Sequence, residues 1–164
     1  MKVFISQNNI KDYVIVLPKD CSAAETYAAS ELIHYVKKAT GVTLGLMTHG
    51  SYDYELRFIQ GDKKTLTVDG FHVYRRGNSL IFEYGGGRGA LYCVYAFLES
   101  TIGVRFYAQG LTYRGWEKGT WMRAIEKIPS EGEIVVSDNF DLQEKPAFYY
   151  RDGTTHALVH EEWC

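Results

Sequence analysis

The sequence predicts an α+β fold, a mixed β-sheet with two main helices packed on one of its faces. Three observations lead there. Runs of strand composition are interrupted by only two stretches of helical periodicity; a hairpin rather than a single strand precedes the second of these; and the strict strand–helix–strand alternation of a parallel α/β protein is missing.

Taken in order, Val3 to Ser6 is a short first strand and Tyr13 to Leu17 a second, β-rich and closed by Pro18. Ser22-Ala23-Ala24-Glu25 is a capping box, in which the Ser hydroxyl accepts from the amide three residues on while the Glu carboxylate reaches back. The helix it starts spans Ala23 to Thr40. Ala24, Ala28, Leu32, Tyr35, Val36 and Ala39 form its apolar stripe, Lys37 and Lys38 suit the negative end of its dipole, and Gly41 supplies the left-handed stop. This amphipathic helix is expected to lie on the sheet with its other side in water.

Val42 to Leu46 reads as an edge segment and Tyr54 to Ile59 as an alternating strand. Gly61-Asp62-Lys63-Lys64 reads as a turn and Thr65 to Val68 as a short extended piece. The central unit runs from Phe71 to Tyr107. Phe71 to Arg75 and Leu80 to Tyr84 flank Arg76-Gly77-Asn78-Ser79, the pattern of a hairpin. Gly85, Gly86 and Gly87 allow a sharp reversal into a second helix, which begins at Arg88 and is stopped by Gly103. Leu91, Val94, Tyr95, Leu98 and Ile102 mark its core stripe, yet Tyr92, Cys93, Ala96 and Phe97 cover most of the rest, so this helix is expected to be covered on more than one side. Val104 to Ala108 is then a strand returning to the sheet, and Glu133 to Ser137 a last sheet strand. Between them Gln109 to Lys127 is a long irregular stretch holding Tyr113, Trp116 and Trp121.

The domain boundaries follow: residues 1–138 form the α+β domain, 139–148 a linker with Pro146, and 149–164 the start of a second domain or a tail that docks back. With 164 residues the chain buries a core without disulfides, and its net charge of −2 lacks the basic footprint of a nucleic-acid binder. No apolar run approaches the roughly 20 residues that span a bilayer, and Met1 to Ile10 lacks the apolar centre of a signal peptide. Cys21, Cys93 and Cys164 are too few and too scattered for a disulfide framework or a zinc site. The unusual number is 15% aromatic, with 13 Tyr, 8 Phe and 3 Trp, which fits a dense core and also the handling of sugars, whose faces stack on rings.

The sequence also resembles a known family. Ala28-Ala29-Ser30-Glu31-Leu32 and Lys38-Ala39-Thr40-Gly41 are similar to the first helix of the small α+β domain that precedes the catalytic barrel in glycoside hydrolases. Asp69-Gly70-Phe71, Leu80 to Phe82, Gly87-Arg88-Gly89-Ala90-Leu91-Tyr92, Phe97-Leu98-Glu99 and Gly103-Val104-Arg105-Phe106-Tyr107 resemble its hairpin, glycine turn, second helix and exit strand. That domain is the second domain of family 20 β-hexosaminidases and the N-terminal domain of family 67 α-glucuronidases. The resemblance runs from about Tyr13 to Arg151. It implies a β-hexosaminidase domain 2-like fold and an accessory role beside a downstream catalytic barrel, which would carry the reactive carboxylates. It also places Pro146 to Arg151 at the linker and first barrel strand and gives Arg151 a sugar-binding role.

Chemistry read from the residues themselves is sparse. Gly85-Gly86-Gly87-Arg88-Gly89 lacks the Lys and Ser or Thr of a phosphate loop, so it reads as a tight structural turn with Arg88 pairing locally. His156 and His160 share a helical spacing but have no third ligand, and Cys93 on an apolar helix reads as a small core side chain. Glu83, Glu99, Asp138 and Asp141 are scattered, whereas glycoside hydrolysis needs two carboxyls facing across a bond. No catalytic residue, metal or cofactor is therefore expected within the chain. Arg151, Trp116 and Trp121 are the candidate sugar contacts, and the partners expected are the chain's own downstream catalytic domain and a glycan, with neither nucleic acid nor membrane. A stand-alone carbohydrate-binding module using the aromatic loop is the alternative, and a small enzyme in its own right the third.

Overall fold

The computed structural model describes residues 2–6, 13–86, 88–108, 125–130 and 133–147. In chain order the strands are β1 (Lys2–Ser6), β2 (Tyr13–Val16), β3 (Gly45–Met47), β4 (Tyr54–Gln60), β5 (Phe71–Arg76), β6 (Ser79–Tyr84), β7 (Arg105–Ala108), β8 (Ile125–Lys127), β9 (Glu133–Val136) and β10 (Asp141–Glu144). The helices are α1 (Ala23–Thr40), α2 (Lys63–Leu66) and α3 (Gly89–Phe97), the last running on into a π-helical turn, Leu98–Ile102.

The fold is α+β, built on a mixed six-stranded sheet of order β10-β5-β6-β4-β2-β3. Side chains alternate across a strand, so register decides which residues meet the helices. Leu56 and Phe58 on β4 align with Leu80 and Phe82 on β6, and Phe82 aligns with Val73 on β5. All five are buried in one cluster with Leu32 and Val36 of α1 and Val94 and Phe97 of α3, which puts both helices over the same sheet face. At its centre Phe58 stacks on Phe82 with ring centroids 5.0 Å apart, and Phe97 meets Phe82 edge-on at 5.3 Å. The odd-register residues Val16, Arg57, Ile81 and Tyr74 align in a row across the second face, where Arg57 pairs with Glu55 at 2.7 Å.

Local signals decide the element ends. Ser22 and Glu25 form the capping box reciprocally, and Gly41 closes α1 at φ 78. Tyr84 on β6 also donates its hydroxyl to Glu25, so the helix start is tied to the sheet. Burial alone would raise the Glu25 carboxyl, but the hydrogen bonds from Ser22 and Tyr84 outweigh it and hold the pKa below the usual carboxylate value.

Four expectations are corrected. Thr65 to Val68 is not extended: Asp62 caps the turn α2 by accepting from the Lys64 amide, and Thr67 follows at φ 65 in the left-handed region. That turn lets the chain cross β6 at close range. Gly85 donates to the Gly70 carbonyl at 3.0 Å, and a Cβ on either glycine would land on a carbonyl oxygen, Thr67's for Gly85 and Leu66's for Gly70. Val104 to Ala108 does not rejoin the main sheet, because β7 pairs with β8 in a separate ribbon. Glu133 to Ser137 does not either; β9 pairs with β1, and Ile5, Ile134 and Val136 extend the core from there. Finally, residues 139–148, read as a linker, include β10, an antiparallel edge strand on β5 with Phe140 against Phe97 at 6.1 Å.

Candidate functional site

The glycine turn before α3 is the first place to look for chemistry. Gly86 sits at φ 132, a conformation open to glycine, and a Cβ there would come within 3.0 Å of Lys63 Cε. Arg88, at the N-cap position, makes no side-chain cap and instead lies over the Tyr92 ring at 5.9 Å, a local pairing as its sequence context suggests. The turn is shaped by backbone crowding.

The second place is the outer side of the helix layer. Tyr35 of α1 donates to Glu126 of β8 at 2.6 Å, Lys38 reaches the same carboxylate at 2.6 Å, and Tyr95 of α3 donates to Glu31 at 2.9 Å. Phe106 of β7 packs edge-on against both phenols, 5.5 Å from Tyr35 and 5.1 Å from Tyr95. Burial, and then the carboxylate each one bonds, pushes both phenols far above their ordinary value, while Lys38 and Tyr35 outweigh burial to hold Glu126 low. This set is closed on itself. It clamps the β7–β8 ribbon against the helices and helps cover α3, while Thr26, Ser30, His34, Lys37 and Lys38 stay exposed on the polar side of α1 as its amphipathic pattern predicts.

The third is a groove of about 510 Å³ between α3 and β10. Phe71 and Leu142 form its floor, Tyr92, Tyr95 and Ala96 its helical wall, and Lys145, Pro146 and Ala147 its far rim. Asp69, Glu99 and Glu144 bring carboxylates to it. Its volume is that of a ligand pocket, but Glu99 and Glu144 are exposed. Sequence reasoning missed this groove because its helical wall and its far rim are 49 residues apart along the chain, between Ala96 and Lys145. The only local signal was the outward set Tyr92, Tyr95, Ala96 and Glu99 on a helix already apolar elsewhere.

The remaining candidates do not converge. Asp138 pairs with Arg75 at 2.9 Å, Asp141 lies 3.2 Å from His72 Nε2, and Glu83 turns its carboxylate toward Gly61. Cys93 is fully buried and its thiol is pushed well above its ordinary value by desolvation, so it is no nucleophile. Among the described residues no group of three or more His, Cys, Asp or Glu could hold a metal ion. Trp116, Trp121 and Arg151 lie outside the described residues, as do His156 and His160. No described helix is long and apolar enough to cross a membrane.

No family model matches the chain, and no curated protein does. Solved structures do. A family 20 β-N-acetylhexosaminidase from Streptomyces coelicolor A3(2) superposes at a TM-score of 0.50 with 15% identity, over 85% of this chain and 23% of that one. A family 20 exo-β-N-acetylglucosaminidase from Vibrio harveyi gives 0.46 at 14% identity, over 85% and 16% of the two chains. A chitobiase from Flavobacterium johnsoniae gives 0.44 at 12%, over 85% and 18%. The chain thus spans under a quarter of the length of these enzymes. At such identities the likeness is one of fold, and it leads to one conclusion: the protein has an α+β fold similar to that of a part of the Streptomyces coelicolor family 20 β-N-acetylhexosaminidase.

Proposed function

We propose that the chain is a non-catalytic accessory domain of a carbohydrate-active glycoside hydrolase, supporting a catalytic barrel encoded downstream. The observation that carries the reading is the fold, shared with a stretch that makes up 23% of a β-N-acetylhexosaminidase. A fold hosts many functions, so the inference is by analogy and needs support from the residues. That support comes from the carboxylates: those of Glu25, Glu55, Glu126 and Asp138 are engaged in hydrogen bonds or ion pairs that hold elements together, and Glu99 and Glu144 are exposed. In this reading α3 and the groove beside it face the barrel, residues 149–164 begin it, and Arg151, Trp116 and Trp121 lie toward its sugar-binding mouth.

The test is hydrolysis of a panel of chromogenic glycosides, N-acetylhexosaminides and glucuronides included, by residues 1–164 alone and by the chain extended through its downstream coding sequence. The reading expects activity only in the extended chain. Glycan binding by residues 1–164 that is lost in Trp116→Ala or Trp121→Ala would instead make the chain a binding module.

A further inference from the structure

We propose that the free edge of β3 is where a second copy of this chain adds on, the two β3 strands lying antiparallel across a two-fold axis so that the two sheets run on as one. The inference goes beyond an accessory role, because it concerns the opposite edge of the sheet from β10 and holds or fails whether or not a barrel follows.

Backbone geometry argues for it first. Among the described residues β3 ends the sheet, with β2 alone beside it. The Met47 carbonyl accepts from the Leu17 amide at 2.8 Å, and in a parallel ladder the residues that bond a neighbour alternate with residues whose N–H and C=O both point the other way. Leu46 therefore turns both groups outward. A residue with both groups on the open edge is what the hydrogen-bonded pair of an antiparallel ladder needs, so Leu46 facing its own copy would exchange two bonds across the axis. Side chains argue for it second. Leu46 shares the helix side of the sheet with Ile15, Met47 shares the other side with Val16, and the two are 44% and 40% exposed. Pairing here would take apolar surface out of water on both sides of the sheet. Charge then selects the occupant. From Gly41 to Tyr52 there is no Asp, Glu, Lys or Arg, although 23% of the chain is charged. Such an edge has nothing with which to steer a charged partner and nothing to repel its own copy. The other edge differs, because Asp141 and Glu144 put exposed carboxylates on β10 and guard it against self-pairing. Since β3 is 3 residues long, the interface falls below the roughly 1,200 Å² of a standard complex and the dimer is weak.

The experiment follows the mass of the whole chain by analytical ultracentrifugation up to a concentration of about 1 mM, where a weak dimer forms. The proposal expects the mass to rise from that of one chain toward that of two and no further, because a two-fold contact closes on itself. Leu46→Lys, which sets two ammonium groups against each other at the axis, should stay at one chain's mass throughout. Val68→Lys, at an apolar side chain equally exposed but off this edge, should associate as the parent does. Amide exchange in the parent gives a second reading: the Leu46 amide should exchange more slowly at high concentration than at low, while that of Met47, already bonded to β2, should not change. If Leu46→Lys loses the parent's circular dichroism, the exchange result decides. A mass that stays at one chain, a dimer that survives Leu46→Lys in folded protein, growth past two chains, or Leu46 exchange indifferent to concentration each overturns the proposal.

Discussion

Gly85→Ala is the substitution that most sharply probes how this fold is closed. Gly85 directly follows β6 and donates to the Gly70 carbonyl at 3.0 Å, and the neighbouring Tyr84 carbonyl accepts from Gly61 at 2.8 Å. A Cβ at this position would land on the Thr67 carbonyl oxygen, far inside the 3.4 Å at which ordinary contact begins. The obstacle is backbone, not a side chain that can rotate away, and Thr67 is already held at φ 65. Relief requires the α2 turn and the end of β6 to part, losing the crossing hydrogen bond. Overpacking of this kind costs about 1–3 kcal/mol and sometimes more, and the absence of a soft neighbour puts Gly85→Ala at the upper end, about 3 kcal/mol. Gly77→Ala is the control: it has the left-handed φ of 63 but nothing within 4 Å, so only conformational strain of about 1 kcal/mol applies. Urea unfolding followed by circular dichroism measures both. For a chain of this size the larger value lowers the Tm by about 6–12 °C. If Gly85→Ala proves no more destabilising than Gly77→Ala, the close crossing is not what holds the hairpin to the turn before it.

Other substitutions test other joints. Phe97→Ala removes a fully buried ring shared by β6 and the approach to β10, at a cost of about 3–5 kcal/mol, and a double-mutant cycle with Phe82 should show a coupling of about 0.5–1.5 kcal/mol in chemical denaturation. Glu126→Ala frees Tyr35 and Lys38 together and should lower stability by about 1 kcal/mol, with faster amide exchange in β8 than in β6; equal exchange in both would mean that the ribbon is held otherwise. The pKa of Glu25 is depressed in the folded state, so its contribution is complete above the unfolded carboxyl value of about 4.3 and is lost as pH falls through the lower, folded one. Acid titration of stability should therefore be shallower below about pH 4 in Glu25→Gln than in the parent, and identical slopes would deny the carboxylate that role.

What the sequence made legible was what short-range chemistry controls. The capping box at Ser22 and Glu25, the stop at Gly41, the hairpin around Gly77-Asn78 and the break at Gly103 each depend on a few neighbouring residues, and each is where the residues place it. Where a segment goes after it forms is a different question. Arg105 to Ala108 has the composition of a strand wherever it pairs, and only the packing of Phe106 between Tyr35 and Tyr95 sends it over the helices instead of into the sheet. Asp141 to Glu144 is polar enough to read as a linker because an edge strand needs just one apolar anchor, here Leu142, with Phe140 beside it. Asp62 has the sequence context of a turn residue, and it is one, but its carboxylate caps α2 rather than opening a strand. The groove was illegible for the same reason as the β7–β8 ribbon, since it exists only once α3 and β10 are side by side.

The central claim is that these residues form a scaffold whose reactive groups are supplied by other residues of a longer protein. Glycoside turnover by purified residues 1–164, set beside that of the chain extended past Cys164 at its own locus, tests it most directly. The account predicts hydrolysis by the extended chain and none by residues 1–164; turnover by residues 1–164 alone, or a reading frame that stops at Cys164, would contradict it.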